Sequence, residues 1–145
     1  MNPQAINPGG YRLDASVLIG YLRQENGGEA LLDYIASGVP LLVSPTNLVE
    51  VYGVLIGHGE FTQAQVEGGL ELLLHLFEVV PLDSAHVAAA GALLGRSKSQ
   101  CLNLSLGDCL CLSVAAQSGT VALTTDRAWQ TLADSPTPVE LIQGS

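Results

Sequence analysis

Positive charge is scarce in this chain. Five Lys and Arg stand against fourteen Asp and Glu in 145 residues, giving a formal net charge of −9 and an isoelectric point near 4.4. Such a balance leaves no basic face to displace counterions, which excludes loose electrostatic binding to nucleic acid. Any nucleic acid this chain handles must be held through a metal or with help from a second chain. Cysteine is also sparse: three residues, an odd count, cannot close a disulfide framework, and a reducing, cytoplasmic setting is the expectation. No uncharged apolar run approaches membrane-spanning length, and MNPQAINPGGYR at the start lacks both a basic stretch and an apolar h-region. A soluble, unexported protein with no membrane partner is therefore expected. Internal repeats, low-complexity segments, GxGxxG and P-loop patterns are absent.

What the sequence does hold is apolar mass. Hydrophobic residues make up 48% and mean hydropathy is +0.35, enough for one domain with a substantial core. Residues 1–10, rich in Pro, Gly and Asn, read as a flexible tail, and residues 11–145 as a single domain. Short β-like runs at 11–13, 40–43, 78–82, 120–124 and 139–142 alternate with helical periodicity at 16–23, 28–37, 46–57, 62–76, 84–97, 106–118 and 127–132. That alternation predicts an α/β domain with a largely parallel sheet.

Four acids interrupt or end the apolar runs: Asp14 in LDASVLI, Glu50 in NLVEVYGVLI, Asp108 in SLGDCLCL and Asp126 in VALTTDRAW. A carboxylate in such surroundings loses water and needs a partner, and the chain supplies few cations. A divalent ion held by carboxylate oxygens meets that need and brings phosphoryl chemistry within reach. Simpler roles exist for three of them. Asp14 and Asp126 can each cap a helix, and Asp108 can close a capping box with Ser105. Glu50 fits a plain role less well, because its helix face carries Thr46, Asn47, Gly53 and Gly57, a narrow polar and small-residue stripe on a greasy helix, although a half-exposed surface strip would look the same. In an open parallel sheet, ligands bind beyond the carboxyl ends of the strands where strand order reverses. Asp14 and Asp126 line one crevice if the first and fourth strands are neighbours, and helix N-termini at that edge suit Asp108 and a bound phosphate.

Other chemistries find little support. Cys109 and Cys111 lie two apart in a predicted helix and point in different directions, so with Cys101 they are read as small buried side chains rather than a zinc or redox site. His58, His75 and His86 fall on separate helices or their ends and are read as structural or surface residues. Asp14-Ala15-Ser16 lacks the second acid that phosphoaspartate chemistry requires.

At these residues the chain resembles the PIN domain family, and within it the bacterial VapC-type toxins. LDASVLIGYL, SPTNLVEVYGVL, LSLGDCLCLSVA and ALTTDRAW are similar to that family's acidic motifs in order and approximate spacing, over nearly all of the chain from Tyr11 to Ile142. The resemblance implies a three-layer α/β/α sandwich with a five-stranded, mainly parallel sheet. It implies cleavage of RNA dependent on Mg²⁺ or Mn²⁺, by in-line attack of metal-activated water, leaving 5′-phosphate and 3′-hydroxyl ends. Asp14, Glu50, Asp108 and Asp126 correspond by position to the acidic quartet that holds metal, and Ser16, Asn47 and Thr124 or Thr125 fall where supporting polar groups are often placed. A homodimer and a small antitoxin whose tail occludes the site are the implied partners. Phosphate contacts are left to Arg12, Arg23, Arg96, Lys98 and Arg127, with Arg96, Lys98 and Arg127 foremost. The alternative is a PIN-like binding module that does not cut and acts as a partner in a complex.

Overall fold

The first strand, β1 (Tyr11–Leu13), has only three residues, yet all are buried, because β1 is the middle strand of a five-stranded sheet. The computed structural model describes residues 9–132 and 135–142, so most of the expected tail and the last three residues lie outside it. β2 (Leu41–Val43), β3 (Glu78–Val79), β4 (Val121–Thr124) and β5 (Val139–Leu141) complete the sheet in the order β3-β2-β1-β4-β5, with every neighbouring pair parallel. Strand order therefore reverses between β1 and β4, the two strands that lead into Asp14 and Asp126. Gly10 already belongs to the domain: its carbonyl accepts from Val121 N (3.0 Å), and at φ +127° a Cβ there would come 2.8 Å from Pro40 O. Only glycine fits that approach.

Helices cover both faces. α1 (Ala15–Leu22), α2 (Asn26–Ser37), α3 (Pro45–Gly57) and α4 (Gln63–Leu76) bury Val17, Leu18, Leu31, Val51, Leu55 and Leu70 against Tyr11, Leu13, Leu41 and Val43. α5 (Ser84–Gln100) and α6 (Leu106–Ser118) bury Leu93, Cys111, Leu112 and Ala115 against Ala122 on the other face, with Trp129 from a 3₁₀ helix (Arg127–Thr131). Alternation along β1 sends Tyr11 and Leu13 to the first layer and Arg12 to the second. The result is the expected three-layer α/β/α sandwich. No helix among the described residues is long and apolar enough to cross a membrane.

Three local expectations differ. The strand expected at 78–82 ends at Val79, since Pro81 cannot donate to a ladder. The helix expected at 127–132 is the 3₁₀ turn just named. Cys101 is exposed rather than buried, because it terminates α5 in the left-handed conformation (φ 56°), while Cys109 and Cys111 lie in the core.

Two of the five cations are lost to phosphate binding. Arg23 forms a two-pronged pair with Glu60, its Nε donating to Oε2 at 2.9 Å. Arg12 is 1% exposed, donates to Ser44 Oγ at 3.3 Å, and leaves Nε buried with no acceptor. Burial lowers its pKa. A buried cation so poorly partnered adds little stability. Arg12→Met, which keeps the aliphatic stem, is expected to leave the melting temperature unchanged or raise it; a drop equivalent to about 3 kcal/mol would instead mark the guanidinium as a needed partner.

Candidate active site

Asp14 stands in the N-cap position of α1 with extended backbone, but apart from a contact with the Ala15 backbone its carboxylate makes no capping bond. Instead Oδ2 accepts from Ser16 Oγ (2.7 Å) and from Thr124 Oγ1 (3.0 Å) at the end of β4. Those hydroxyls are themselves fixed, Ser16 Oγ by the Thr125 N–H and Thr124 Oγ1 by the Asp126 N–H, each at 3.1 Å. Thr125 thus contributes its backbone, not its hydroxyl, to the bracing. The network ties the exits of β1 and β4 together and holds a carboxylate only 5% exposed in one orientation.

α3 opens with Ser44 at the N-cap and Pro45 in its first turn, which brings Asn47 and Glu50 to the same edge. Asn47 is buried; its Nδ2 donates to Glu50 Oε1 (2.7 Å) and more weakly to Gly107 O (3.4 Å), while Oδ1 is buried without a donor among the described residues. The Glu50 carboxylate lies directly over Gly107, where a Cβ would come 2.0 Å from Oε1. Gly107 therefore makes room for the Glu50 carboxylate, a role that the reading of the sequence does not anticipate. Its only advance signal is a helix-disfavouring glycine in the first turn of α6, next to Asp108. Gly53 and Gly57, by contrast, face open space, so the small-residue stripe does not extend the site along α3.

Gly107→Ala gains helix propensity worth about 1 kcal/mol, so its stability is expected to stay close to wild type while Glu50 is pushed off Asn47. Any reaction that needs Glu50 in place should slow by about tenfold to a hundredfold. Rate and melting temperature measured together check this; an unaltered rate would remove Glu50 from the chemistry.

Asp108 and Asp126 do cap helices. Asp108 accepts from Ser105 N (3.0 Å) in a reciprocal capping box at the start of α6, and Asp126 Oδ1 accepts from Ala128 N (2.9 Å). Capping does not take these acids out of one another's field, because Asp14, Glu50 and Asp108 each feel the charge of another acid of the four. Burial raises the pKa of Asp14, and the charge of Asp108 adds to it. Burial likewise raises Glu50, with Asp14 and Asp108 contributing, and raises Asp108, with Asp126 contributing. No cation offsets any of these shifts. Among the described residues no three His, Cys, Asp or Glu side chains form a ready-made metal cluster as placed; each carboxylate is held by its own hydrogen bonds.

These shifts have a pH signature. A carboxyl group with a raised folded pKa binds more protons folded than unfolded, so its contribution to stability falls as pH rises from the ordinary carboxylate range (3.8 for Asp, 4.5 for Glu) through the raised values. In EDTA, the stability gap favouring Asp14→Asn over wild type is expected to widen as pH rises through that window. A gap constant with pH in thermal melts would contradict it.

The remaining cations are scattered. Arg96, Lys98 and Arg127 are exposed. Arg96 borders Ala116, Gln117 and Pro136, at the end of α6 far from Asp108, whereas Lys98 sits in the last turn of α5 and Arg127 directly follows Asp126. His86 closes the α5 capping box with Asp83, and His58 stands beside Glu60, both away from the acids.

Residues 11–135 match the family model of the PIN domain. No curated protein matches the chain. Among solved structures, the fold is similar to VapBC from Salmonella typhimurium bound to DNA, with TM-score 0.71 and 18% identity over 90% of this chain and 96% of that one. It is also similar to VapBC2 from Rickettsia felis bound to a DNA fragment from its promoter, with TM-score 0.70 and 16% identity over 90% and 97% of the two chains. VapC20 from Mycobacterium tuberculosis, a sarcin–ricin loop cleaving toxin, gives TM-score 0.66 and 17% identity over 86% and 98%. At these identities the likeness is one of fold.

Proposed function

The chain belongs to the PIN domain family, and from that premise we propose that it is a divalent-metal-dependent endoribonuclease, the toxin of a toxin–antitoxin pair. What supports this reading is that Asp14 and Asp126 follow β1 and β4, the strands between which strand order reverses, and that Asp14, Glu50 and Asp108 each feel the charge of another acid of the four. The donor set fits Mg²⁺ or Mn²⁺: the carboxylates offer oxygens, Asp14, Glu50 and Asp108 are raised in pKa with no cation among the causes, and Asn47 Oδ1 is a buried acceptor with no donor among the described residues. Asp14, Asp108 and Asp126 would hold the ion, with Glu50 beside them. Once bound, such an ion supplies a lowered pKa for water and neutralises charge on the phosphate oxygens.

The chain's own residues do the rest. Ser16 and Thr124 fix the Asp14 carboxylate before substrate arrives, which spares reorganisation during the reaction. Glu50, half-buried and steadied by Asn47, is placed to orient the attacking water and accept its proton. As the water oxygen bonds to phosphorus in line with the departing 3′-oxygen, the P–O3′ bond breaks and the 3′-oxygen takes a proton from solvent, leaving a 5′-phosphate and a 3′-hydroxyl. Lys98 and Arg127, with Arg96 further off, are the groups proposed to touch RNA phosphates.

An antitoxin is the proposed partner, supported by the similar structures that are VapBC and toxin–antitoxin complexes. An acidic crevice with no internal cation suits a basic segment of such a protein. Exposed Val49 and Ile56 on α3 and Leu72 and Leu76 on α4 support a homodimer. A PIN-like module that binds without cutting is the second reading, favoured by the capping bonds that already occupy Asp108 and Asp126. Incubating purified protein with single-stranded RNA in Mn²⁺ or in EDTA separates the two. Cleavage in Mn²⁺ alone, with 5′-phosphate ends, is expected of the nuclease; intact RNA in both favours the binding module.

A further inference from the structure

Between the loop that joins α5 to α6 and the 3₁₀ helix after Asp126 lies a cleft of about 350 Å³. Leu102, Leu104, Trp129 and Leu132 form apolar walls, and Asn103 and Thr131 add polar groups. Asp126 lines the cleft as well as the acidic site, so whatever binds here is continuous with whatever binds there. From the cleft the chain runs through Leu104 and Ser105 to Leu106, which is 60% exposed, and then to Gly107 and Asp108 at the start of α6.

The chemistry of the walls narrows the occupant. Among the described residues no Lys or Arg lines the cleft and one carboxylate does, which rules against a phosphate. Apolar walls with a few hydrogen-bonding groups suit a flat heterocycle, and the volume is near the small end of the range of about 300–1,000 Å³ typical of small-molecule sites. Trp129 is 2% exposed and its indole Nε1 has no acceptor among the described residues. RNA is read in sequence mainly through unstacked bases lodged against apolar and aromatic side chains. We propose that this cleft takes one unstacked nucleobase of the RNA beside the scissile phosphate and so sets sequence preference. The proposal rests on the ribonuclease reading for its role, but not for its binding chemistry.

Trp129 is the only tryptophan of the chain and reports on the cleft directly. The full-length Asp14→Asn protein in EDTA, which should leave RNA uncut, is titrated with single-base hexanucleotides of each of the four bases and with an abasic hexamer of ribose phosphate. At least one base is expected to shift Trp129 emission saturably, with a Kd about tenfold or more below that of the abasic hexamer. Adding Ala128→Met, which extends a side chain into the cleft, should weaken that binding about tenfold, and Asn103→Gly, which retains the left-handed backbone (φ 59°), should alter which base is preferred. Equal response to the abasic hexamer and to all four bases, no response to any, or indifference to both substitutions would overturn the proposal. A base-selective response in a protein whose wild-type form cuts no RNA would uphold the cleft while removing the nuclease reading.

Discussion

Replacing Asp14 with Asn is expected to lower metal-dependent RNA cleavage by about a hundredfold or more, with no loss of stability. Two independent features lead there. The carboxylate is 5% exposed and fixed by two hydroxyls on separate elements, so its position is set before any ligand arrives. Its side chain makes no N-cap bond to the second or third residue of α1, and the one backbone contact it has, from Ala15, can be kept by the oxygen of Asn. Asn keeps an oxygen to accept from Ser16 and Thr124 but removes the negative charge. Asp108→Asn and Asp126→Asn should follow it in direction, and Glu50→Gln should slow the reaction as well. RNA cleavage and thermal melts on the same preparations check the pair of outcomes. Activity unchanged in all four proteins would remove the site assignment, whatever the fold.

The second large effect is stabilisation by metal. Asp14, Glu50 and Asp108, buried or half-buried, are raised in pKa with no cation among the causes, an arrangement that the proposed ion would relieve. At roughly a hundred times its dissociation constant one ion adds about 2.7 kcal/mol, which for a chain of this length raises the melting temperature by several degrees. Asp108→Asn separates ligand from cap. If Asp108 is a ligand, the substitution should raise the melting temperature in EDTA and shrink the gain on adding Mn²⁺. If it acts only through its capping box with Ser105, the substitution should lower stability slightly and leave the response to Mn²⁺ intact.

The architecture was largely legible because its determinants are local. Alternation of short apolar runs with helical periodicity placed five strands and the long helices within a few residues, and the acids stood out because they interrupt apolar runs. Two kinds of fact were hidden. Strand neighbours are a matter of tertiary pairing, so the meeting of Asp14 with Thr124 depended on β1 lying beside β4, which no spacing states. Side-chain fate is hidden too: Arg12 and Arg23 look alike as surface cations, but alternation along a central strand buries the first and Glu60, thirty-seven positions on, holds the second. Gly107 was missed for a similar reason, since its importance comes from a carboxylate delivered by a different helix. The capping readings of Asp108 and Asp126 hold, and because a cap uses only backbone N–H groups it leaves the proposed shared site open to test.

That the four acids form one metal site is tested most directly by Mn²⁺ binding, followed by electron paramagnetic resonance, on wild type, Asp14→Asn, Asp108→Asn and a control at Asp83, an exposed cap of α5 away from the acids. Binding that is saturable in wild type, unaffected by Asp83→Asn and weakened about tenfold or more in both Asp14→Asn and Asp108→Asn is the expected result. Undiminished binding in those two proteins would contradict a shared site.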